Sequence, residues 1–263
     1  TNRRAAKNAE FTRSIYCSFT IHPQCCIFAT MQYTLKKSLG QHFLKDEQIS
    51  KKIVAALQEN PLERLVEVGP GGGALTKYLL TLPGIEFKAV ELDDEKVMYL
   101  ETTYPAIKGK IIHESILDIE APFQEDFTVV GNFPYNISSQ ILFKVIEWKD
   151  KVPVMIGMFQ KEVALRIVSQ PGSKVYGILS VLVQAFYEVD YLFDVPPESF
   201  NPPPKVISGM IRLKKKAEPV SIKSDRSLFV LVKAAFIQRR KKLRNALKGL
   251  LEQEILTDEL FNK

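Results

Sequence analysis

Four residues in the middle of the chain, Asn132-Phe133-Pro134-Tyr135, carry side chains that together could hold a flat amine. The Asn132 amide can accept a hydrogen from an exocyclic amine while its own NH2 group is anchored elsewhere. Pro134 cannot extend a sheet or helix, and it leaves nearby carbonyls available as acceptors. The ring of Tyr135 could stack on a base such as adenine, whose N6 would then face an electrophile. The alternative is a plain strand-to-helix turn, with Asn132 as a turn residue and Tyr135 filling the core.

A second candidate site lies upstream, where a short apolar strand runs into the glycine turn 69–73. Such a turn lets backbone N–H groups approach a ligand closely. About twenty residues further on, a second predicted strand ends in Glu91, whose carboxylate could accept both hydroxyls of a ribose. Glu67 and Pro70 crowd the turn with an acid and a rigid ring. The pair of motifs therefore favours a nucleoside cofactor that is not an anion over a pyrophosphate cofactor.

The elements that must position these residues alternate between strand and helix. Strands are predicted near 65–69, 86–91, 110–113, 127–131, 152–159, 189–195 and 206–213, and helices near 47–58, 74–82, 94–104, 137–148, 160–170 and 177–187. Alternation of this kind predicts an α/β fold with a doubly wound, mostly parallel sheet that binds ligands at the carboxyl ends of its strands. Gly69, Glu91, Ser115 and Asn132 all fall at or just beyond such ends.

Together the motifs resemble a known family, the S-adenosylmethionine-dependent rRNA adenine N6,N6-dimethyltransferases of the KsgA type. The resemblance runs in family order from Leu35 to about Leu256. The matching segments are Gly40-Gln41-His42-Phe43-Leu44, Val66 to Gly71, Val90 to Asp93, Asn132 to Tyr135, Gln160 to Val163, Tyr176 to Val181, Phe200 to Val206 and Gln238 to Asn245. The resemblance implies a Rossmann-like class I methyltransferase sheet with a small C-terminal helical domain.

The resemblance also implies an activity and the residues that carry it. The expected reaction is dimethylation of the N6 amines of two adjacent adenosines near the 3′ end of small-subunit (16S) rRNA, within a pre-30S particle and with S-adenosyl-L-methionine as cofactor. The expected catalytic residues are Asn132, Pro134, Tyr135 and Phe200, with Tyr135 and Phe200 on opposite faces of the base. The expected cofactor-binding residues are His42, Leu44, Gly69, Gly71, Glu91, Ser115 and Asn132.

Two positions depart from the family pattern. The family usually has an Asp after the third strand to meet the adenine amine of the cofactor, and Ser115 stands there in this chain. A hydroxyl is a neutral acceptor, so this contact should be weaker than a carboxylate would make it, unless Glu114 or Asp118 substitutes. Phe133 replaces a commoner Leu, which preserves an apolar side chain.

The distribution of charge points to an anionic partner. The formal net charge is +6, and residues 233–248 contain seven Lys or Arg and no acid. Apolar residues at helical spacing in this segment predict a helix that packs one face and presents the basic residues on the other. The expected RNA-binding residues are Lys161, Arg239, Arg240, Lys241, Lys242 and Arg244. The alternative is that the basic residues form only a solvated face.

The chain divides into three predicted parts. Residues 1–30 are expected to be a disordered or spurious extension, with translation beginning at Met31; an organelle-targeting segment is the alternative. A methyltransferase domain spans 31–216, with a linker at 214–219. A small helical RNA-binding domain is expected at 217–263, and it is expected to be shorter than in the resembling family by a last helix.

The cysteine content favours a reducing compartment, and the protein is expected to be a monomer in the cytoplasm. All three cysteines lie within the first thirty residues, so the predicted catalytic core has neither a disulfide nor a thiolate metal site. The three histidines are scattered, so no metal is expected. No apolar run reaches the roughly 18 residues of a membrane helix, so no membrane partner is expected.

Two other functions stay open at this point. The first is methylation of large-subunit rRNA, which would confer antibiotic resistance and uses the same cofactor and amine motifs. The second is a ribosome-assembly or transcription factor that binds nucleic acid on this fold without catalysis. Two segments, Pro202-Pro203-Pro204-Lys205 and Gln238 to Asn245, resemble the small-subunit enzymes more than the large-subunit enzymes. Glu91, Asn132 and Tyr135 argue against the second, because a binding protein has no need of them.

Overall fold

The computed structural model describes residues 42–220, 222, 224–239, 241–248 and 250. The predicted extension 1–30, Gly40 and Gln41 of the opening motif, Arg240 and the end of the predicted C-terminal domain at 251–263 lie outside the described residues.

Seven strands form one sheet in the order β4-β3-β2-β5-β6-β9-β7, and two further short strands pair with each other. The strands are β1 (Phe43–Leu44), β2 (Arg64–Val68), β3 (Glu86–Val90), β4 (Ile111–Ile112), β5 (Thr128–Asn132), β6 (Val154–Gln160), β7 (Tyr187–Val195), β8 (Phe200–Asn201) and β9 (Ser208–Lys215). Neighbouring strands from β4 to β6 are parallel, whereas β9 runs antiparallel to both β6 and β7. The predicted mostly parallel sheet is confirmed.

The helices connect the strands and cover the sheet. They are α1 (Glu47–Gln58), α2 (Thr76–Leu79), α3 (Asp94–Thr103), α4 (Ser138–Glu147), α5 (Lys161–Val168), α6 (Ile178–Gln184), α7 (Asp225–Ile237) and α8 (Leu243–Ala246). Helix α1 begins where it does because the Asp46 side chain accepts from the N–H groups of Gln48 and Ile49 at 2.9 and 3.3 Å, which satisfies N–H groups that have no partner within the helix.

Two apolar clusters occupy the two faces of the sheet. Successive side chains of a strand point to opposite faces, and in β2 this places Val66 and Val68 in one cluster and Leu65 in the other. Helix α4 adds Ile141 to the first cluster, and α1 adds Ile53 to the second. Because both faces are covered, β2 is buried along nearly its whole length, as in other parallel sheets. The carboxyl ends of β2, β3 and β5 are thereby fixed side by side.

The C-terminal part differs from the sequence-based expectation in two respects. The predicted linker at 214–219 begins too early, because Lys214 and Lys215 still belong to β9 and pair with β6 and β7. The single helix predicted over 233–248 is also wrong. Helix α7 ends at Ile237, and α8 begins only at Leu243. The described basic residues between them, Arg239, Lys241 and Lys242, therefore lie on a turn rather than along a helix face.

None of the helices in the described parts of the chain is long and apolar enough to cross a membrane.

Candidate active site

A cavity of about 310 Å³ opens at the carboxyl ends of β2, β3 and β5. This size falls within the range of about 300 to 1,000 Å³ that is typical of small-molecule sites. Its walls come from the start of the described chain, the glycine turn after β2, the residues after β3, the segment 115–117 and the segment 132–137. The two motifs singled out from the sequence therefore share one cavity.

The glycine turn and Glu91 form one hydrogen-bonded unit. Gly69 and Gly71 adopt φ of 67° and 54°, a left-handed conformation that favours glycine. This conformation directs the Gly71 N–H to the Glu91 carboxylate at 3.2 Å. The other carboxylate oxygen accepts from the N–H groups of Leu92 and Asp93, each at 3.0 Å. Burial raises the pKa of Glu91 although the three N–H donors oppose that shift.

A second carboxyl group, that of Glu67, lies in the same cavity and is only 2% exposed. The Thr76 hydroxyl donates to it at 2.7 Å. Burial, together with the nearby charge of Glu91, raises the pKa of Glu67 to about 8 against the hydrogen bonds from Thr76. Glu67 is therefore largely protonated at neutral pH.

Asn132 stands at the last position of β5 with its side-chain NH2 group anchored. That group donates to the backbone carbonyl of His42 at 2.9 Å. Because the NH2 group is held there, the side-chain oxygen is the atom of Asn132 that can accept from a ligand. This arrangement is the one that the sequence predicted for an amine-binding Asn.

Tyr135 and His42 present two rings at the same end of the cavity. Their centroids are 5.5 Å apart, with an angle of 31° between the planes. The Tyr135 hydroxyl is hydrogen-bonded to Ser208 Oγ at 2.5 Å. His42 Nδ1 donates to the Pro202 carbonyl at 2.8 Å, because a carbonyl can only accept. Each ring is thus held at its polar end while its face remains at the cavity wall.

Phe133 anchors the 132–135 loop from below. Its ring is 1% exposed and packs edge-on against Phe159, with centroids 5.4 Å apart. The ring lies against two glycines of neighbouring strands, Gly131 and Gly157. A Cβ on Gly157 would come within 2.3 Å of Phe133 Cε2, and a Cβ on Gly131 within 2.6 Å of Phe133 Cε1. The missing side chains create the space that this aromatic ring fills.

Phe200 does not meet the expectation that it stacks on a base. It is 1% exposed, does not line the cavity and packs in the core cluster that contains Leu44 and Met210. The antiparallel pairing of β8 with β1, which sets Phe200 opposite Leu44, holds it there. In this conformation Phe200 supports the cavity wall through Leu44, which does line the cavity.

Ser115 lines the cavity, but its hydroxyl already takes part in a local turn. Ser115 Oγ accepts from the Leu117 N–H at 3.2 Å. The two acids considered as substitutes, Glu114 and Asp118, are exposed and do not line the cavity. Of these three side chains, only that of Ser115 is in place to meet a ligand here.

The chemistry of the cavity fits a cationic nucleoside such as S-adenosylmethionine. Among the described residues that line it are two buried carboxyl groups, Glu67 and Glu91, and no Lys or Arg. A ligand rich in phosphate would meet no countercharge from those side chains, whereas a positive ligand would meet the carboxylate of Glu91 and the neutral carboxyl group of Glu67. The backbone-held carboxylate of Glu91 keeps lone pairs for hydroxyl donors.

The basic residues expected to bind RNA are placed in different ways. Lys161 begins α5 and forms an ion pair with Asp194 at 2.5 Å. Arg239 donates from its guanidinium to the backbone carbonyls of Lys174 and Tyr176. Lys241, Lys242 and Arg244 are exposed at and just after the turn between α7 and α8.

The sequence analysis did not identify Ser208 as part of the site, and it gave Glu67 too small a role. Ser208 is fully buried and holds the Tyr135 hydroxyl from a position 73 residues away, which no local pattern indicates. Glu67 was noted only as an acid that crowds the turn, whereas it is a buried wall of the cavity. The signal for Glu67 was present, since an acid inside an apolar strand is rarely buried without a role.

Comparison with known proteins agrees with this geometry. Residues 32–262 match the family model described as ribosomal RNA adenine dimethylase. The chain is 49% identical over 232 residues to "Ribosomal RNA small subunit methyltransferase A" of Flavobacterium johnsoniae, covering 87% of this chain and 88% of that protein. It is 47% identical to the protein of the same name from Cytophaga hutchinsonii, covering 87% and 90%.

Solved structures show the same fold. A dimethyladenosine transferase from Plasmodium falciparum superposes with a TM-score of 0.70 at 28% identity, covering 79% of this chain and 75% of that one. The 23S rRNA methyltransferase ErmE superposes with a TM-score of 0.64 at 25% identity, covering 79% and 84%. The predicted class I methyltransferase fold is therefore confirmed. The family expected from the motifs is confirmed as well: the chain belongs to the ribosomal RNA adenine dimethylase family.

Proposed function

We propose that this chain dimethylates the N6 amines of two adjacent adenosines near the 3′ end of small-subunit rRNA, with S-adenosylmethionine as the methyl donor. The observation that carries the proposal is the anchored Asn132 amide, whose acceptor oxygen shares one cavity with the backbone-held carboxylate of Glu91. The Asn132 oxygen suits a reacting amine, and the Glu91 carboxylate suits a ribose. Family membership supports the same reaction.

The residues that would hold the donor are those of the cavity wall around Glu91. The Glu91 carboxylate would accept from the ribose hydroxyls, and the turn at Gly69 and Gly71 leaves backbone close to the ligand. Leu44 and Ser115 would enclose the rest of the nucleoside. S-adenosylmethionine supplies a methyl group on a sulfonium that is already strongly electrophilic.

The protein then has to align the amine and keep water away. The Asn132 oxygen would accept one N6 hydrogen, which directs the nitrogen lone pair away from Asn132 and towards the donor side of the cavity. Tyr135 would stack on the base, since its ring is held by the bond from its hydroxyl to Ser208. No nucleophilic Ser or Cys is required. The adenosine must leave its stack to enter, at a cost of roughly a few kcal/mol unless it already lies in a loop.

The RNA would be recognised outside the cavity through its phosphates. Lys161, Lys241, Lys242 and Arg244 are proposed to make these contacts, and Arg240 belongs to the same basic run. The partner would be the rRNA within an assembling pre-30S particle, bound by a monomer in the cytoplasm, with a role in ribosome biogenesis. Residues 217–263 would form the small domain that contributes most of these contacts.

The test is methyl incorporation from labelled S-adenosylmethionine into undermethylated small ribosomal subunits, followed by nucleoside analysis. Wild type should yield N6,N6-dimethyladenosine. Asn132→Ala should abolish or greatly slow the transfer while binding of subunits through the remote basic residues largely survives. Glu63→Ala removes an exposed acid outside the cavity and should leave the activity unchanged.

Three results would count against the proposal. Full activity of Asn132→Ala would show that Asn132 has no role in methyl transfer. Labelling of large-subunit rRNA in place of small-subunit rRNA would assign the chain to the other substrate. Binding of subunits without any methyl transfer would favour a factor that uses the fold without catalysis.

A further inference from the structure

Arg239 differs from the other expected RNA-binding residues because its guanidinium is already engaged by the protein. It follows the end of α7 and donates from Nη1 to the Lys174 carbonyl at 3.0 Å and from Nη2 to the Tyr176 carbonyl at 2.9 Å. Both acceptors belong to the loop 169–177 between α5 and α6. A planar guanidinium can donate to two acceptors at once in a fixed geometry. The two hydrogen bonds therefore fix the orientation of the Lys174 and Tyr176 carbonyls as well as the distance of the loop from α7.

An aromatic contact supports the same link. The guanidinium carbon of Arg239 lies 5.7 Å from the centre of the Phe236 ring. The Phe236 ring in turn lies 6.0 Å from the ring of Tyr176, centre to centre. Arg239, Phe236 and Tyr176 thus connect the end of α7 to the loop by polar and apolar contacts together.

The middle of the loop is exposed and is held mainly by local hydrogen bonds and by Arg239. Residues 171–175 are exposed, so burial contributes little to their order. Within the loop, Ser173 Oγ accepts from the N–H groups of Val175 and Tyr176 at 3.2 and 3.3 Å. These bonds are local. Gln184 of α6 donates to the Ser169 carbonyl at 2.9 Å and so holds the beginning of the loop, whereas the bonds from Arg239 hold its exposed later part from α7.

The loop also carries a basic group. The side chain of Lys174 is exposed beside the carbonyl that Arg239 holds, and Lys241 and Lys242 are exposed on the turn that follows Arg239. Fixing the loop to the end of α7 would therefore keep three ammonium groups on one surface.

We propose that Arg239 is a positioning residue that fixes the loop 169–177 to the end of α7, so that Lys174, Lys241 and Lys242 form one surface for the RNA backbone. The RNA part rests on the proposed function, whereas the fixing of the loop does not. In this assignment Arg239 acts through its paired N–H donors on the loop carbonyls rather than as a positive charge on a phosphate.

Arg239→Lys separates the two roles, because Lys keeps the charge and loses the fork of donors. Hydrogen exchange of the full chain without RNA should show the amides of Val175 and Tyr176 exchanging at least about tenfold faster in both Arg239→Lys and Arg239→Gln. Lys241→Gln is the matched control, since it removes a neighbouring charge, and loop exchange should stay at the wild-type rate. Unchanged exchange in Arg239→Lys would overturn the proposal.

Binding to small-subunit rRNA over a range of salt concentrations provides the second readout. Arg239→Lys should weaken binding as much as Arg239→Gln, because in both variants the loop must be ordered when RNA binds. The slope of log affinity against log salt should stay at the wild-type value, because the same lysines contact phosphates in the complex. Lys241→Gln should reduce that slope by about one unit, as expected for one lost phosphate contact. Wild-type affinity in Arg239→Lys would show that the loop does not position RNA and would also overturn the proposal. If wild type itself did not bind rRNA, the proposed function would fail, and the exchange measurement would still decide whether Arg239 holds the loop.

Discussion

Glu91 is a buried carboxylate whose described partners are backbone N–H groups rather than a basic side chain. Backbone donors are fixed by the turn and by the start of α3, so they hold the group without neutralising it. A carboxylate has about four acceptor sites and three accept from the backbone, so the oxygen that accepts only from Gly71 keeps a site for a ribose hydroxyl.

Replacing Glu91 with Ala should weaken binding of S-adenosylmethionine by about tenfold or more, because a hydrogen bond to a charged group contributes roughly 1.5 to 3 kcal/mol. Isothermal titration calorimetry of the folded variant measures this change. Glu63→Ala serves as the control, because Glu63 is exposed outside the cavity. Equal affinity in wild type and Glu91→Ala would refute the assignment of Glu91 to the ribose.

Glu67 should make the stability of the protein depend on pH. The pKa of Glu67 rises from its ordinary value of 4.5 to about 8 in the folded protein. Between these values the folded chain binds more protons than the unfolded chain, so the free energy of unfolding falls as the pH rises. The slope should approach about 1.4 kcal/mol per pH unit within this window.

Glu67→Gln removes the titration, so its stability relative to wild type should increase from about pH 5 to about pH 8 and then level off. Urea unfolding at a series of pH values would measure the difference. A difference that stays constant over this range would show that Glu67 is not protonated in the fold. Glu86→Gln, at an exposed acid on β3, is the control for a general charge effect.

At the scale of elements, the 132–135 loop is tied to three different parts of the chain. Asn132 is bonded to the backbone at His42, Phe133 packs against β6, and Tyr135 is bonded to Ser208 at the start of β9. These ties fix the loop although its residues after Asn132 belong to neither a strand nor a helix. Alignment of the amine therefore depends on the sheet behind the loop as much as on the loop itself.

The bond between Tyr135 and Ser208 should contribute to position rather than to chemistry. Tyr135→Phe and Ser208→Ala should each retain most activity, and the double variant should be no worse than the poorer single variant, because one interaction is lost in all three. Tyr135→Ala should lose activity severely, since it removes the stacking ring. Methyl incorporation from labelled S-adenosylmethionine would measure the activity of all four variants. Severe loss in Tyr135→Phe alone would mean that the hydroxyl takes part in the reaction.

The sequence predicted the elements whose evidence is local. Strands β2, β3 and β5 contain short apolar stretches next to turn residues. Helix α1 shows a helical period with an N-cap. All four were placed within about two residues. The two-residue pair of β1 and β8 was not predicted, because it joins positions 43–44 to 200–201 and leaves no local pattern. The burial of Phe200 depends on that pair. The break after Ile237 was also missed, because the apolar spacing of the segment continues past it.

At the scale of the whole molecule, the cavity is acidic while the chain is basic overall, with a formal net charge of +6. The described basic groups assigned to RNA lie outside the cavity wall. A cationic cofactor and a polyanionic RNA can therefore be attracted to one protein without competing for the same groups.

Binding and catalysis should be separable by mutation. Combined replacement of Lys241, Lys242 and Arg244 by Gln should weaken binding of small ribosomal subunits and reduce its salt dependence by about one unit of slope per lost contact. The affinity of this triple variant for S-adenosylmethionine should stay at the wild-type value. Asn132→Ala should show the converse, with subunit binding retained and transfer lost. An unchanged salt slope in the triple variant would show that these residues do not contact phosphates and form only a solvated surface.

The ring of Phe133 against Gly131 and Gly157 has a consequence for how this sequence can evolve. Since a Cβ on Gly157 would collide with the ring, Gly157→Ala should displace the 132–135 loop and impair methyl transfer. The same change should be tolerated when Leu replaces Phe133, because a branched aliphatic side chain does not reach as far across the strand. Positions 133 and 157 should therefore show epistasis. Relatives with Leu at position 133 should have Ala at position 157 more often than relatives with Phe at position 133.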